Sequence, residues 1–303
     1  MKRLLVVLVF STAQLIVTPC QAQEASPEKV ISFADHLYSQ GDYYRAITEY
    51  ERFLFHYPAH PLAENARYQI GMSYFRGDKF SQAIQRFLEL SENHPREEVG
   101  KKSLIMLAEA YSRKKDYSLA IGALNRFLER YPDNPQADSA RIKKGWLYLD
   151  QRDWAQASEQ FRALPTESAF HEQAVSLAEE AKKYPEIPRK SPALAAGLSA
   201  IVPGAGQLYV KRPSDAGVSF LLNGAFIWGT IEAFKNHNDV TGGILLFFES
   251  GWYLGNIYNA MGSAYKYNSR AEQEFTDKLK RQYGISFYRD EQGSTLLAVT
   301  SRF

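Results

Sequence analysis

The chain has 303 residues, room for two domains, and its 36 basic and 34 acidic side chains leave a net charge of only +2. Such a balance supplies no field for nucleic acid. A single cysteine excludes a disulfide framework.

Residues 1–22 read as a secretory signal. Lys2 and Arg3 open it, an apolar run begins at Leu4, and Cys20-Gln21-Ala22 offers small residues for cleavage. Bacterial lipoproteins are cut before a lipid-bearing cysteine that usually follows Gly, Ala or Ser; here Pro19 precedes Cys20. Ordinary cleavage, lipidation at Cys20 and an uncleaved anchor all put the next segment outside the cytoplasm.

Residues 23–165 repeat with a period of 37. Ala46, Ala83, Ala120 and Ala157 form one column, Tyr43, Phe80, Tyr117 and Trp154 a second, and Pro58, Pro95 and Pro132 a third. Columns in register at this spacing indicate stacked helix-turn-helix units. Asp42, Asp116 and Asp153, with Asp78 one place early, suit the caps of the second helices. Ala46, Tyr50 and Phe53 share one helical face, and Pro58 ends the helix. Ala34, Gly71, Ala108 and Gly145 are small where paired helices must approach, and three residues later come Leu37, Tyr74, Tyr111 and Tyr148. Ala169 replaces the fourth proline, marking a degraded or capping unit.

These residues resemble the tetratricopeptide repeat (TPR), whose pattern is small-x-x-Tyr, Ala-x-x-x-Phe and Pro. Gly71/Tyr74, Ala83/Phe87 and Pro95 match it best. The Tyr-Pro endings with a second proline shortly after are similar to exported envelope TPR proteins. These include the TPR lipoprotein of the outer-membrane β-barrel assembly machinery and the TPR protein associated with the Tol–Pal system. The resemblance implies a non-catalytic periplasmic scaffold that binds proteins. Projecting the TPR register puts Tyr68, Met72, Phe75 and Arg76 on the concave face of the second unit. It puts Lys102, Ile105, Glu109 and Arg113 there in the third, and Ile142, Trp146 and Leu149 in the fourth. Arg76 and Arg113, equivalent in successive units, suit a carboxylate or an acidic peptide. The alternative is that the arginines are solvated and the apolar residues pack on a neighbouring helix. Ile105 and Ile142 stand in the lysine places of the carboxylate clamp of chaperone-binding TPRs, which disfavours that ligand class.

Residues 166–190 read as a capping helix and a basic linker. Phe170, Ala174, Leu177 and Ala181 form a stripe, and Pro185 and Pro188 break the chain. Lys182, Lys183, Arg189 and Lys190 suit either a lipid surface or solvent.

Residues 191–265 read as a hydrophobic membrane module. No charge occurs in 191–210 or 216–231, and only Glu249 in 240–265. Three segments emerge, the first broken at Pro203, Gly204, Gly206, Gln207 and Tyr209 and so open to a re-entrant form. This run resembles a Pro-Gly-x-Gly-Gln-x-Tyr signature of small bacterial membrane modules, some fused behind TPR arrays; the likeness names no chemistry. Tyr209 in the third glycine's place rules out a dinucleotide fingerprint. The competing reading is a soluble aromatic-rich helical domain. A tight turn near residue 236 would set Asn223 level with Glu249, giving an intramembrane polar pair joined by a hydrogen bond; a lone glutamate in an ion path is the disfavoured option. Three crossings would leave Lys211, Arg212 and the basic tail in the cytoplasm, as the positive-inside rule favours; a dipping first segment would return the tail to the periplasm.

Residues 266–303 read as a charged helix, with Ala271, Phe275 and Leu279 on one side, and a β-hairpin. No metal-ligand spacing, P-loop or nucleophile elbow occurs, so neither catalysis nor a cofactor is expected.

The fold class expected is all-α: about four 37-residue TPR units, a helical membrane hairpin module and a short C-terminal β-hairpin. The function expected is an exported, periplasm-facing scaffold, anchored in the inner rather than the outer membrane. Its partners are an envelope protein or peptide and membrane lipid, with no nucleic acid and no small-molecule substrate. The alternatives are a soluble periplasmic assembly chaperone for outer-membrane proteins and an accessory subunit of a membrane transporter.

Overall fold

The computed structural model describes residues 26–283 and, in backbone only, the strands Ile285–Arg289 and Thr295–Val299. The expected signal segment and the expected turn of the hairpin lie outside the described residues. The two strands pair antiparallel, with Ile285 opposite Val299 and Phe287 opposite Leu297. The chain divides into two compact units, residues 1–86 and 87–303, with the boundary inside one helix.

The first unit holds α1 (Pro27–Ser39), α2 (Tyr43–His56), α3 (Ala63–Arg76) and the start of α4 (Phe80–Asn93). Ser26 followed by proline starts α1 without a side-chain cap bond, whereas Asp42 caps α2 by accepting from the Arg45 amide. Val30, Ala34, Leu37, Ala46, Tyr50 and Phe53 interlock as a core. The buried Tyr50 hydroxyl donates to Asp35 at 2.5 Å, and burial first, then Asp35, pushes its pKa well above the usual tyrosine range.

The second unit continues with α5 (Glu98–Arg113), α6 (Tyr117–Arg130), α7 (Ala137–Asp150), α8 (Trp154–Arg162) and α9 (His171–Ala181). The column Ala46, Ala83, Ala120, Ala157 is wholly buried, as is Tyr50, Phe87, Leu124, Phe161 four residues on. Gly145 is small for a reason: a Cβ there would lie 2.4 Å from the Phe161 ring. The last second-helix, α8, has nine residues against fourteen in α2, α4 and α6. α9 seals it with Ala174, Leu177, Ala178 and Ala181.

A further column appears in the backbone. Gly41, Asp78, Lys115 and Arg152, each 37 apart, have φ of 82°, 57°, 65° and 64°. Each sits in a helix-ending turn of Schellman type, in which the following amide bonds back to a carbonyl five residues earlier, as Asp42 does to Leu37 and Lys79 to Tyr74. This corrects the reading of Asp78 as an early cap: it is the left-handed turn residue, and Lys79 occupies the cap position of α4. Asp116 makes no side-chain cap bond, whereas Asp153 accepts from the Gln156 amide at 3.1 Å.

After a 3₁₀ turn at Tyr184–Glu186 come α10 (Pro192–Ile201), α11 (Ala205–Tyr209), α12 (Pro213–Lys235) and α13 (Asp239–Gln282). α13 has 44 residues and runs unbroken through position 265, from the apolar block into the charged tail. Its far end returns to the repeats: Leu279 is fully buried among residues of α7, α8 and α9, and Phe275 meets Trp154 edge-on at 5.3 Å.

Candidate functional site

The Pro-Gly-x-Gly-Gln-x-Tyr run builds a folded-back corner, and each motif residue has a physical reason. Val202 is extended at φ −131° and ψ 114°, the conformation a following proline favours. Gly204 is left-handed at φ 91°, and a Cβ there would come within 2.3 Å of the Ala216 carbonyl oxygen on α12. A Cβ on Gly206 would come within 2.0 Å of the Ala195 oxygen on α10. These contacts let α11 lie back along α10 and against α12.

Gln207 locks the corner. Fully buried, its Oε1 accepts from the Ser199 hydroxyl at 2.9 Å, and its Nε2 donates to the Asn256 side-chain oxygen at 2.7 Å. The Gly206 amide donates to Ser199 at 3.0 Å. The Tyr209 hydroxyl accepts from the Ser191 amide at 3.1 Å, while its ring lies 4.4 Å beneath the Lys190 ammonium. Asn268 of α13 clamps the Lys190 backbone with two hydrogen bonds, 2.7 and 2.9 Å. The beginning of α10 and the end of α11 thus lie together. Residues 191–210 thus double back as a helix, a break at Pro203 and a short continuation.

The module is turned inside out relative to a water-soluble helical bundle. Val218, Leu221, Trp228, Val240 and Phe247 are each 65–76% exposed. Asn223, Glu249 and Asn256 are 2–7% exposed. Soluble monomers rarely show so continuous an apolar surface. By length and composition α12 is, among the described residues, the one helix long and apolar enough to cross a membrane. The expected hydrogen bond between Asn223 and Glu249 is not formed. Asn223 turns its amide to the Ser219 carbonyl at 2.6 Å, an i−4 bond within its own helix, and neither Glu249 carboxylate oxygen has a partner among the described residues.

Residues missed in the sequence are Ser199, Asn256, Ser263 and Asn268. A signal existed for two of them. Gly242, Glu249, Asn256 and Ser263 are buried on α13 at intervals of seven, a polar seam in a greasy helix.

The groove projected from the TPR register is only partly a surface. In the first unit Met72 and Phe75 are buried, with Phe75 against Phe80, while Tyr68 is half-buried and Arg76 exposed. In the second unit Ile142, Trp146 and Leu149 belong to the core, Trp146 packing edge-on to Phe161 at 5.9 Å. Met72, Phe75 and Trp146 therefore leave the set of groove residues, because core packing claims their rings and thioether. Lys102, Ile105 and Glu109 are half-buried and Arg113 is exposed. Glu109 is engaged by the buried Lys143 and by Arg113 at 3.8 Å, so this chain itself supplies Arg113 with the carboxylate that a peptide was expected to bring. Among the described residues no three His, Cys, Asp or Glu gather as a metal site.

Comparison with known proteins agrees with the repeat architecture. A family model described as outer membrane lipoprotein (YfiO) matches residues 68–195, and one for the tetratricopeptide repeat matches 31–98. The outer membrane protein assembly factor BamD of Caulobacter vibrioides is 30% identical over 102 residues, covering 32% of this chain and 33% of that protein. The chain thus spans about a third of the length of this curated relative. Solved structures that resemble the chain include a tetratricopeptide repeat protein from Parabacteroides merdae, with a TM-score of 0.43, 16% identity and coverage of 84% of this chain and 98% of that one. TPR-like repeats of a kinesin light chain from Podosopora anserina give a TM-score of 0.41 at 12% identity, covering 52% and 87%. The tetratricopeptide match and the helix-turn-helix units together describe an all-helical TPR-like solenoid, similar in its central part to envelope lipoproteins of the BamD kind.

Proposed function

We propose that the chain is an exported envelope scaffold whose helical repeats hold a protein partner and whose α10–α13 module seats it in a membrane. The observation that carries this reading is the inverted surface of the module, apolar outside and polar within, in a unit whose far helix end is packed on the repeats. The 23 residues of α12 extend about 35 Å, enough for a hydrocarbon core of about 30 Å. α12 crosses, the first half of α13 returns, and α10–α11 dips in and out on the side of the repeats. The tail then stays on that side, the periplasmic one. Similarity to an outer membrane protein assembly factor supports a partner among envelope proteins.

In the first unit the partner meets Tyr68 and Arg76; in the second it meets Lys102 and Ile105, which the core leaves accessible. The test combines fractionation with photo-crosslinking in cells. The full chain should stay in membranes after carbonate washing, and a photo-crosslinker at Lys102 should capture an envelope protein that one at the outward Leu119 does not. Release by carbonate would favour the soluble assembly-chaperone reading instead. Capture at Leu119 alone would remove Lys102 and Ile105 from the contact surface.

A further inference from the structure

Where the apolar surface of the module ends, a cleft of about 650 Å³ opens between the linker at 183–188, the end of α11 and the charged stretch of α13. Its size falls in the range of small-ligand sites. Six cationic side chains line it against three carboxylates, Glu180, Glu186 and Glu274. Some of the cations are already occupied. Lys183 bonds Glu180 at 2.5 Å, and Arg212 pairs with Asp215 and donates to Ser263 at 2.9 Å. Lys211, Lys266, Arg270 and Lys278 have no carboxylate partner among the described residues, although Glu274 lies between Arg270 and Lys278 on the same helix face. The nearby linker cations do not share this state: Arg189 reaches Glu272 and Lys190 sits over Tyr209.

Cations left unpaired around one cavity repel each other and raise the local potential, and a bound anion removes that cost. The walls are mixed: Ile187, Val210 and Phe275 supply apolar surface beside the charges. The place matters as much as the charge. Lys211 and Arg212 immediately precede α12, and Lys266 follows the exposed Tyr265 at the end of the apolar stretch of α13. A basic and aromatic rim at the edge of a lipid-facing surface is where headgroups lie.

We infer that this cleft binds the phosphate of an anionic phospholipid headgroup, with Lys211, Lys266, Arg270 and Lys278 as its cationic ligands. Arg270 offers a forked donor and the lysines point charges. The inference rests on the membrane reading above and adds a specific lipid site to it.

The test uses the full chain purified in detergent, with bound lipid counted by native mass spectrometry. Phosphatidylglycerol should be retained about tenfold more than phosphatidylcholine. Replacing the four residues together by alanine should abolish that preference, whereas replacing the three lysines by arginine should keep it. Neither set should release the protein from membranes under carbonate, because α12 and α13 do the anchoring. Equal retention of the two lipids, or an undiminished preference in the alanine variant, would overturn the site while leaving the membrane reading standing. Loss of the preference in the arginine variant as well would also overturn it, by showing a packing effect rather than a charge effect. Displacement of the lipid by an equal concentration of glycerophosphate would identify a soluble phosphate ligand and overturn the lipid assignment. Carbonate release of the unaltered protein would end both proposals.

Discussion

Arg152 and Glu272, 120 positions apart, are joined at 2.7 Å, and the same guanidinium donates to Ser269 at 2.8 Å. Arg152 is also the left-handed residue of the fourth repeat turn. One side chain thus ties the last repeat to α13, and Arg189 adds a second cation on Glu272 at 3.3 Å. The pair is partly exposed, so water and salt screen it. A double-mutant cycle of Arg152→Ala and Glu272→Ala should give a coupling of about 0.5–1 kcal/mol that shrinks as salt rises. The readout is thermal unfolding in detergent.

Gln207 should tolerate nothing of its own shape. Gln207→Glu replaces the donor facing two Asn256 oxygens with an acceptor, and Gln207→Leu removes the acceptor of the Ser199 hydroxyl and the donor to Asn256 in a buried site. Each should cost about 2–3 kcal/mol. Gly206→Ala should be at least as damaging, since the Ala195 backbone cannot yield the 2.0 Å approach cheaply. Limited proteolysis at 202–212 measures the opening of the corner; an unchanged cleavage rate in all three variants would refute its role as a lock.

The left-handed turn column predicts stabilisation by glycine. Lys115→Gly should raise stability by about 0.5–1 kcal/mol, the relief of the left-handed backbone outweighing glycine's greater freedom in the unfolded chain. Gly41→Ala should lower it by a similar amount. Arg152→Gly should gain less, because it forfeits the bonds to Glu272 and Ser269. Chemical denaturation of the three variants ranks them.

Lys143 predicts a pH dependence. Burial pulls its ammonium down to about 7 from the ordinary 10.5, against the attraction of Glu109. Between about pH 7 and 10.5 the unfolded chain holds a proton that the folded chain has released. Stability from this site therefore rises with pH through that window and is least below it. Lys143→Met should flatten the rise and leave stability at neutral pH unchanged or higher by about 1 kcal/mol. Denaturation midpoints measured across the window decide it.

Glu249 is buried with both carboxylate oxygens unpartnered among the described residues. If it has no part in transport, Glu249→Gln should leave assembly and partner capture as they are, and Glu249→Leu should unfold no more easily than the parent chain. Loss of function in the glutamine variant would revive the ion-path reading.

How far the sequence revealed this depends on whether a side chain or the backbone carries the rule. The alanine column and the aromatic four residues later were legible because burial there demands a fixed size in every repeat. The left-handed column was not, because only Gly41 advertises it; Asp78, Lys115 and Arg152 are held there by the turn's hydrogen bonds. Trp146 was misplaced because a register copied from other repeats cannot tell a concave face from a face covered by the next helix, here Phe161 of α8. The motif around Gln207 was visible as unusual, but its partner Asn256 lies 49 residues away. Only the seven-residue spacing of polar positions on α13 pointed there. The return of Phe275 and Leu279 to the last repeat was beyond local periodicity, which named their stripe but not what it covers.

The unbroken course of α13 has a mechanical consequence. At 1.5 Å per residue its 44 residues form a rod of about 66 Å, greasy at one end and wedged under the final repeat at the other. On the proposed membrane reading, a bilayer that thins or thickens around the greasy end would change the rod's inclination, and a swing of about ten degrees would carry the opposite end through roughly 10 Å. On that reading lipid would have leverage over the repeat farthest along the chain, and a partner pressing on that repeat would have the same leverage over the lipid.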